Sequence, residues 1–397
     1  MVTYPQEWQT YPFKIFFRLI PNNTLSRDKL STSGAIGNIH YGDVLIKYGD
    51  TISDLDDIPR VREDIGFVAN NLLQKNDVIV ADTAEDETVG KVTEVGDISI
   101  PLVGGLHTVV CRPNEETASG YLGYYMNSRY YHDQLLPYIT GIKVSSVSKK
   151  SLNETELTLP SNIQEQQNIV RVLNAFDTYI DNLIELIEKK RGIRDGAIND
   201  LLSATMRLSG FDKPWKETTL GKEYAVIMGQ SPNSASYNSS GSGVPLVQGN
   251  ADIENRVTTP KRYTSMPTKI CENGDTILAV RAPVGTVSRA NQRVCLGRGV
   301  CAISGMHKDF IYYLMYYYES AWETFEQGST FTAVSGKEVR NFEIKVPEEG
   351  EEQDAISRIL IAMDEEIEAL ENERDKMIQI REGAMDDLLT GRVRLGV

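Results

Sequence analysis

A stretch of about fifty residues occurs twice in this chain, and few architectures accommodate such a repeat. Residues 160–208 align without a gap on residues 347–395 at a constant offset of 187, with about 20 of 49 positions identical. Glu165, Gln166, Ile169, Leu173, Asp177, Ile180 and Leu183 recur as Glu352, Gln353, Ile356, Leu360, Asp364, Ile367 and Leu370. Further on, Arg194, Gly196, Ala197, Asp200 and Arg207 recur as Arg381, Gly383, Ala384, Asp387 and Arg394. Each copy follows a longer, divergent segment, so the chain reads variable, repeated, variable, repeated.

Within the first copy, Ile169, Leu173, Phe176, Ile180, Leu183 and Ile187 fall at alternating steps of four and three, the seam of a helix that packs on one partner. The second copy keeps the rhythm at Ile356, Leu360, Met363, Ile367 and Leu370, until Arg374 interrupts before Met377. Ser161 with Gln164 predicts a capping box at the first start. The second start offers Glu348, Glu349, Glu351 and Glu352, carboxylates that suit the positive end of a helix. A helix over about residues 164–203 would be about 60 Å long, and Gly196 or Gly383 could kink it near its end. Such a rod cannot bury its own seam, and the other copy in the same chain is the nearest partner, giving pseudo-two-fold symmetry. Packing alone constrains the apolar seam. It does not explain identity at Asp177/Asp364 or Arg207/Arg394.

The divergent segments are related too. Gly141 and Ser146-Val147-Ser148 parallel Gly328 and Ala333-Val334-Ser335 at the same offset, and Glu156 and Glu343 each open a short strand-like run into the repeat. Trp8 matches Trp215, and Asn76-Asp77 and Gly274-Asp275 each read as a turn entering a buried strand, with Gly90 and Gly285 as the next turn. Gly105-Leu106-His107 then parallels Gly297-Arg298-Gly299. Tyr121, Tyr124, Tyr125, Tyr312, Tyr313, Tyr316 and Tyr317 lie at helical spacing; buried packing is favoured over a surface on which bases stack. The whole chain is an internal duplication whose loops differ on a persistent scaffold.

The net charge of −15 looks hostile to nucleic acid, yet it is unevenly spread. About −9 of it sits in residues 347–397, whereas residues 209–346 carry about +2. Between Arg256 and Arg298, eight basic residues face only Glu272 and Asp275, an excess that could neutralise phosphates. No GxxxxGK[ST] loop, glycine-rich cofactor turn or Asn-Pro-Pro-aromatic run is present, and no serine, histidine and acid set stands out. Glu343-Ile344-Lys345 resembles the end of a nuclease motif, but its repeat equivalent Glu156-Leu157-Thr158 lacks the lysine, which favours a structural role. Cys111, Cys271, Cys295 and Cys301 form no CxxC pair and the histidines lie far apart, so no metal site is expected. No apolar run approaches the roughly 18 residues of a membrane span and MVTYPQEW has no signal-peptide character, so a cytoplasmic location is expected.

On these residues the chain resembles the DNA-specificity subunit of type I restriction-modification enzymes. The resemblance rests on the EQ-x-x-I pairs, the L-x3-D-x2-I seam and LLTG-x-V-R-L at 388–395, and covers essentially the full length. The first copy departs at its end, reading LLSATMRL at 201–208. The resemblance implies an α+β fold of two α/β target-recognition domains, residues 1–159 and 209–346. Helical spacers at 160–208 and 347–397 would form an antiparallel intramolecular coiled coil acting as a ruler between them. It also implies a non-catalytic subunit that reads a bipartite site in double-stranded DNA. Two modification subunits would bind S-adenosylmethionine and methylate adenine, and restriction subunits would use ATP and Mg. The chain itself would need no cofactor.

Candidate DNA contacts are Lys47, His107, Lys143, Lys149, Lys150, Gln248, Asn250, Lys261, Arg262, Arg281, Arg289, Arg298, Thr330 and Lys337. The recurring Glu165, Gln166, Asp177, Glu352, Gln353 and Asp364 are candidates for an outer helix face that binds the modification subunits. A coiled-coil adaptor without DNA specificity would share the helices without needing the basic loops. An unrecognised hydrolase would need a convergent acid, base and nucleophile.

Overall fold

The computed structural model describes residues 4–54, 56–141, 143–323 and 333–395. Its residues cluster into two compact units, 1–183 with 373–397 and 184–372. These limits depart from the repeat in the sequence because each unit takes part of both repeated helices into its own core.

The repeated helices run over Ile163–Leu202 and Gly350–Leu388, each about 60 Å long at 1.5 Å per residue, and both continue through Gly196 and Gly383. The seam read from the sequence is buried at Ile169, Leu173, Ile180, Leu183 and Ile187 in the first helix and at Ile356, Leu360 and Ile367 in the second. The first helix does not use the expected Ser161 and Gln164 box. Asn162 caps it instead, accepting the Gln164 N–H at 2.8 Å, while the Ser161 hydroxyl donates to the Glu7 carbonyl at 2.7 Å. The cause is local, since strand Trp8–Pro12 pairs with Glu156–Pro160 and brings Glu7 alongside Ser161.

Among the described residues of the first unit, a five-stranded sheet has the order Phe17–Ile20, Thr108–Pro113, Val78–Ala81, Val92–Val95, Thr51–Ile52. A four-stranded sheet has the order Leu102–Gly104, Gly37–Ile39, Arg60–Val61, Leu30–Ser31. The second unit repeats this plan. Its six-stranded sheet runs Ala225–Met228, Val300–Ser304, Thr276–Ala279, Val287–Arg289, Val257–Thr258, Ile253–Glu254. Its five-stranded sheet runs Tyr237–Asn238, Arg262–Thr264, Val244–Val247, Val294–Leu296, Ile270–Cys271. Pairing of Trp8–Pro12 with Glu156–Pro160 corresponds to pairing of Lys216–Thr219 with Glu343–Val346, so Glu343 and Lys345 belong to a scaffold strand.

The turns that enter the central strands also correspond. Asn76 (φ 67°) and Gly274 (φ 83°) adopt left-handed backbone, and the buried aspartates that follow are neutralised, Asp77 by Arg112 at 2.7 Å and Asp275 by Lys308 at 2.9 Å. After the last central strand each unit has a tyrosine-rich helix, Tyr121–Asn127 or Lys308–Tyr317, in which Tyr121, Tyr124, Tyr125, Tyr312 and Tyr313 are buried. The core of the first unit gathers these side chains with Trp8, Ile169, Leu173, Leu388 and Leu389. That of the second gathers Trp215, Ile198, Leu201, Ile356 and Leu360.

Candidate nucleic-acid interface

The recurring polar residues of the helices have internal partners. Asp177 accepts the Tyr124 hydroxyl and the Arg381 guanidinium; Asp364 accepts the Tyr313 hydroxyl at 2.5 Å and Arg194 at 2.9 Å. Glu165 holds Arg394 at 2.7 Å, and Glu352 holds Arg207 at 2.8 Å and the Trp215 indole N–H at 3.2 Å. The Gln166 amide bridges the Pro160 carbonyl and the Ala118 N–H, both at 2.9 Å, and Gln353 donates to the Pro347 carbonyl at 3.0 Å. In each unit these pairs make the two helical stretches antiparallel, residue numbers rising along one as they fall along the other.

The expectation that recurrence marks an outer docking face is therefore corrected. Glu165, Gln166, Glu352 and Gln353 are buried, and Asp177 and Asp364 spend their carboxylates inside their own units. Each acid and its arginine recur together, as one internal bond made twice. Burial works against the charge of Arg194 and Arg381, but the facing carboxylates outweigh it and push both pKa values up. Asp50, deep beside Arg381 at 2.8 Å, has its pKa raised by burial against the lowering pull of Asn127 and Arg381.

In the first unit, the turn between strands Leu102–Gly104 and Thr108–Pro113 projects His107, about half exposed. Its neighbour segment is fixed by the pairing of Ser145–Ser146 with Thr83–Ala84 and by the Val147 N–H on the Asp82 carbonyl at 2.9 Å. Lys143, Lys149 and Lys150 flank that paired stretch in sequence and are exposed. Lys47 is less free. It ends the short helix Tyr41–Ile46 and holds Asp57 at 2.9 Å.

In the second unit, the equivalent turn carries Arg298, exposed, with its N–H on the Ser231 hydroxyl at 3.2 Å. Gly297 and Gly299 pack on the Gln248 backbone so closely that a Cβ on Gly299 would stand 2.1 Å from the Gln248 carbonyl. Asn250 donates to the Pro283 carbonyl at 2.9 Å, next to exposed Arg281, which bridges to Ala333. Gln248, Asn250, Arg281 and Arg298 are thereby brought together, while exposed Lys261 and Arg262 lie at the start of strand Arg262–Thr264, which pairs with Val244–Val247. Thr330 lies outside the described residues.

Lys150 and Lys337 occupy the same place, 187 residues apart, in short helices capped by Ser148 and Ser335. Arg289 does not belong to this edge. It is paired with Asp309 and stacked on the Tyr312 ring at 4.0 Å, which leaves its guanidinium occupied indoors.

The residues that sequence reasoning missed are those that hold the edges in place. Asp82 and Thr83 face His107, and Ser231 anchors the Arg298 turn. No periodicity marks such residues, because they meet only through sheet pairing. The arginine partners of the helical acids were visible as repeats, but their pairing became legible only once the helices were antiparallel. Among the described residues no cluster of three or more His, Cys, Asp or Glu could hold a metal, the four cysteines are buried and free, and no helix is long and apolar enough to cross a membrane.

Residues 5–190 and 212–379 match the model of the type I restriction modification DNA specificity domain. The chain is 27% identical over 414 residues to the putative type I restriction enzyme MjaX specificity subunit of Methanocaldococcus jannaschii, covering 98% of this chain and 95% of the relative. A chain solved in a study of complex assembly and conformational transition of the type I R-M system superposes with a TM-score of 0.63 at 22% identity, covering 99% of this chain and 100% of that one. The HsdS subunit of Thermoanaerobacter tengcongensis superposes with a TM-score of 0.51 at 22% identity, covering 98% of both chains. The two solved structures share the fold.

Proposed function

The chain belongs to the type I restriction-modification DNA specificity family, and from that premise we propose that its two units each read one half of a bipartite target in double-stranded DNA. It is a specificity subunit: DNA recognition is its role, and catalysis sits on the partner subunits of the complex. The observation that carries the division of labour is one recognition fold built twice with different side chains on the equivalent turn, His107 in one copy and Arg298 in the other. A duplicated scaffold that read one sequence twice would have no use for that difference.

The helices act as an antiparallel coiled-coil ruler between the half-sites. In support, Asp177 with Arg381 and Glu165 with Arg394 in the first unit keep the same antiparallel register as Asp364 with Arg194 and Glu352 with Arg207 in the second. Two modification subunits bring S-adenosylmethionine and methylate adenine in the cytoplasm, and restriction subunits bring ATP and Mg. Their docking draws on surfaces left open on the helices, where Ile193 and Ile380 are exposed at repeat-equivalent positions.

The test is methylation by the reconstituted complex on DNA libraries randomised in either half-site. Arg281→Ala or Arg298→Ala should relax the half-site read by the second unit by about 1–3 kcal/mol per lost base contact and leave the other unchanged. Unaltered specificity in both variants would sink the assignment of these arginines, and loss of both half-sites together would point to damaged folding. A complex that methylates without a split motif would favour an adaptor role.

A further inference from the structure

We infer that His107 reads a base of the first half-site as a hydrogen-bond acceptor, taking the exocyclic amino group of cytosine or adenine in the major groove. The inference rests on the DNA-recognition reading above and adds the chemistry of one contact to it.

The backbone supplies the first reason. His107 holds φ at 54°, the left-handed region that favours glycine, whereas Gly299, aligned with it in the second unit's turn, keeps an ordinary backbone and instead packs against the Gln248 carbonyl. A turn that glycine could close without strain carries an imidazole instead. Such strain is retained where the side chain is needed.

Hydrogen bonding supplies the second. His107 Nδ1 lies 3.3 Å from the Thr83 hydroxyl oxygen and 3.4 Å from Asp82 Oδ1. The Thr83 hydroxyl spends its own proton on Asp82 at 2.8 Å, so its oxygen is left to accept. Nδ1 faces two acceptors, and the tautomer that this geometry selects puts the proton on Nδ1 and the lone pair on Nε2. The Asp82 N–H also bonds the His107 carbonyl at 3.1 Å, and Tyr41 stands edge-on to the ring at 5.3 Å. The ring is held on several sides while the side chain as a whole stays about half exposed.

An acceptor at Nε2 discriminates. Cytosine N4 and adenine N6 offer amino protons in the major groove, whereas guanine O6 and N7 and thymine O4 offer only lone pairs. Lys143, Lys149 and Lys150 supply the phosphate contacts. The equivalent turn of the second unit carries Arg298, which has donors only. The two half-sites are therefore read with opposite hydrogen-bond polarity.

The test uses the full chain reconstituted with its modification subunits, scoring methylated sequences from randomised libraries and thermal unfolding of each variant. His107→Gly should hold or raise the unfolding midpoint while preference at one base pair of the first half-site falls about 5- to 150-fold. Asp82→Asn should weaken preference at that same base pair and leave the second half-site intact. Unchanged preference throughout the first half-site in His107→Gly overturns the inference. The broader DNA-recognition reading survives that result if Arg281→Ala or Arg298→Ala still relaxes the second half-site, and it falls if no variant in either unit alters the motif.

Discussion

Glu94 and Arg289 occupy the same position of the same strand in the two units, opposite Val78 and Thr276, and do one task with opposite charge. Glu94 is fully buried and accepts the N–H groups of Gly120 at 2.7 Å and Gly123 at 2.9 Å at the start of the tyrosine helix. Arg289 reaches the first turn of the equivalent helix through Asp309. Burial pushes the Glu94 carboxyl up to about 7, against the lowering effect of those N–H groups. An acid whose pKa is higher in the folded state binds more protons there, so stability falls as pH rises from about 4.5 to about 7. The first unit should lose up to about 3 kcal/mol over that window, with Asp50 acting in the same direction, and Glu94→Gln should flatten most of the slope in urea titrations at stepped pH. An unchanged slope would remove Glu94 as its source. Arg207→Ala removes the cation that faces buried Glu352, leaving the Trp215 indole N–H as its partner among the described residues, and should destabilise the second unit by about 3 kcal/mol. Adding Glu352→Gln should recover more than half of that loss, read from urea unfolding followed by tryptophan fluorescence.

At the scale of elements, the serine-capped helices that carry Lys150 and Lys337 are the same device used twice. If both lysines meet phosphates, Lys150→Ala and Lys337→Ala should each lower DNA affinity alike across sequences and reduce the slope of log affinity against log salt by about 1, leaving the methylated motif unaltered. A changed motif in either variant would mean base contact instead. Such equivalences show why much of the fold was legible in the sequence. The seam from Ile169 to Ile187, the buried strands after Asp77 and Asp275 and the buried tyrosines all rest on periodicity or on repetition, which a single sequence carries. Arg289 was misjudged because local charge says nothing about where a side chain points; only the pairing of Val287–Arg289 with Thr276–Ala279 turns it toward Asp309 and Tyr312. Glu165 and Asp177 were misjudged for a related reason. Recurrence shows that a bond is made twice, without telling whether its partner lies inside or outside the molecule.

For the whole molecule, the unit at the N-terminus is not built from the N-terminal half alone. Leu388 and Leu389 sit in its core, Arg381 holds Asp50 and Asp177, and Arg394 holds Glu165. Truncation after residue 372 should therefore unfold the first unit and spare the second, although the deleted residues are remote in sequence. Hydrogen exchange would show it: amides of Val78–Ala81 should lose protection while those of Thr276–Ala279 keep it, and equal loss in both would contradict the division. This arrangement also sets an order of events on the ribosome. Leu183 emerges long before Leu388, and at typical rates of about 5–20 residues per second the first unit waits roughly 10–40 s for the residues that close its core. The second unit, complete by residue 372, can finish first. Translation thus runs from front to back while folding is completed from the middle outward, and the N-terminal half spends that interval as a natural client for chaperones.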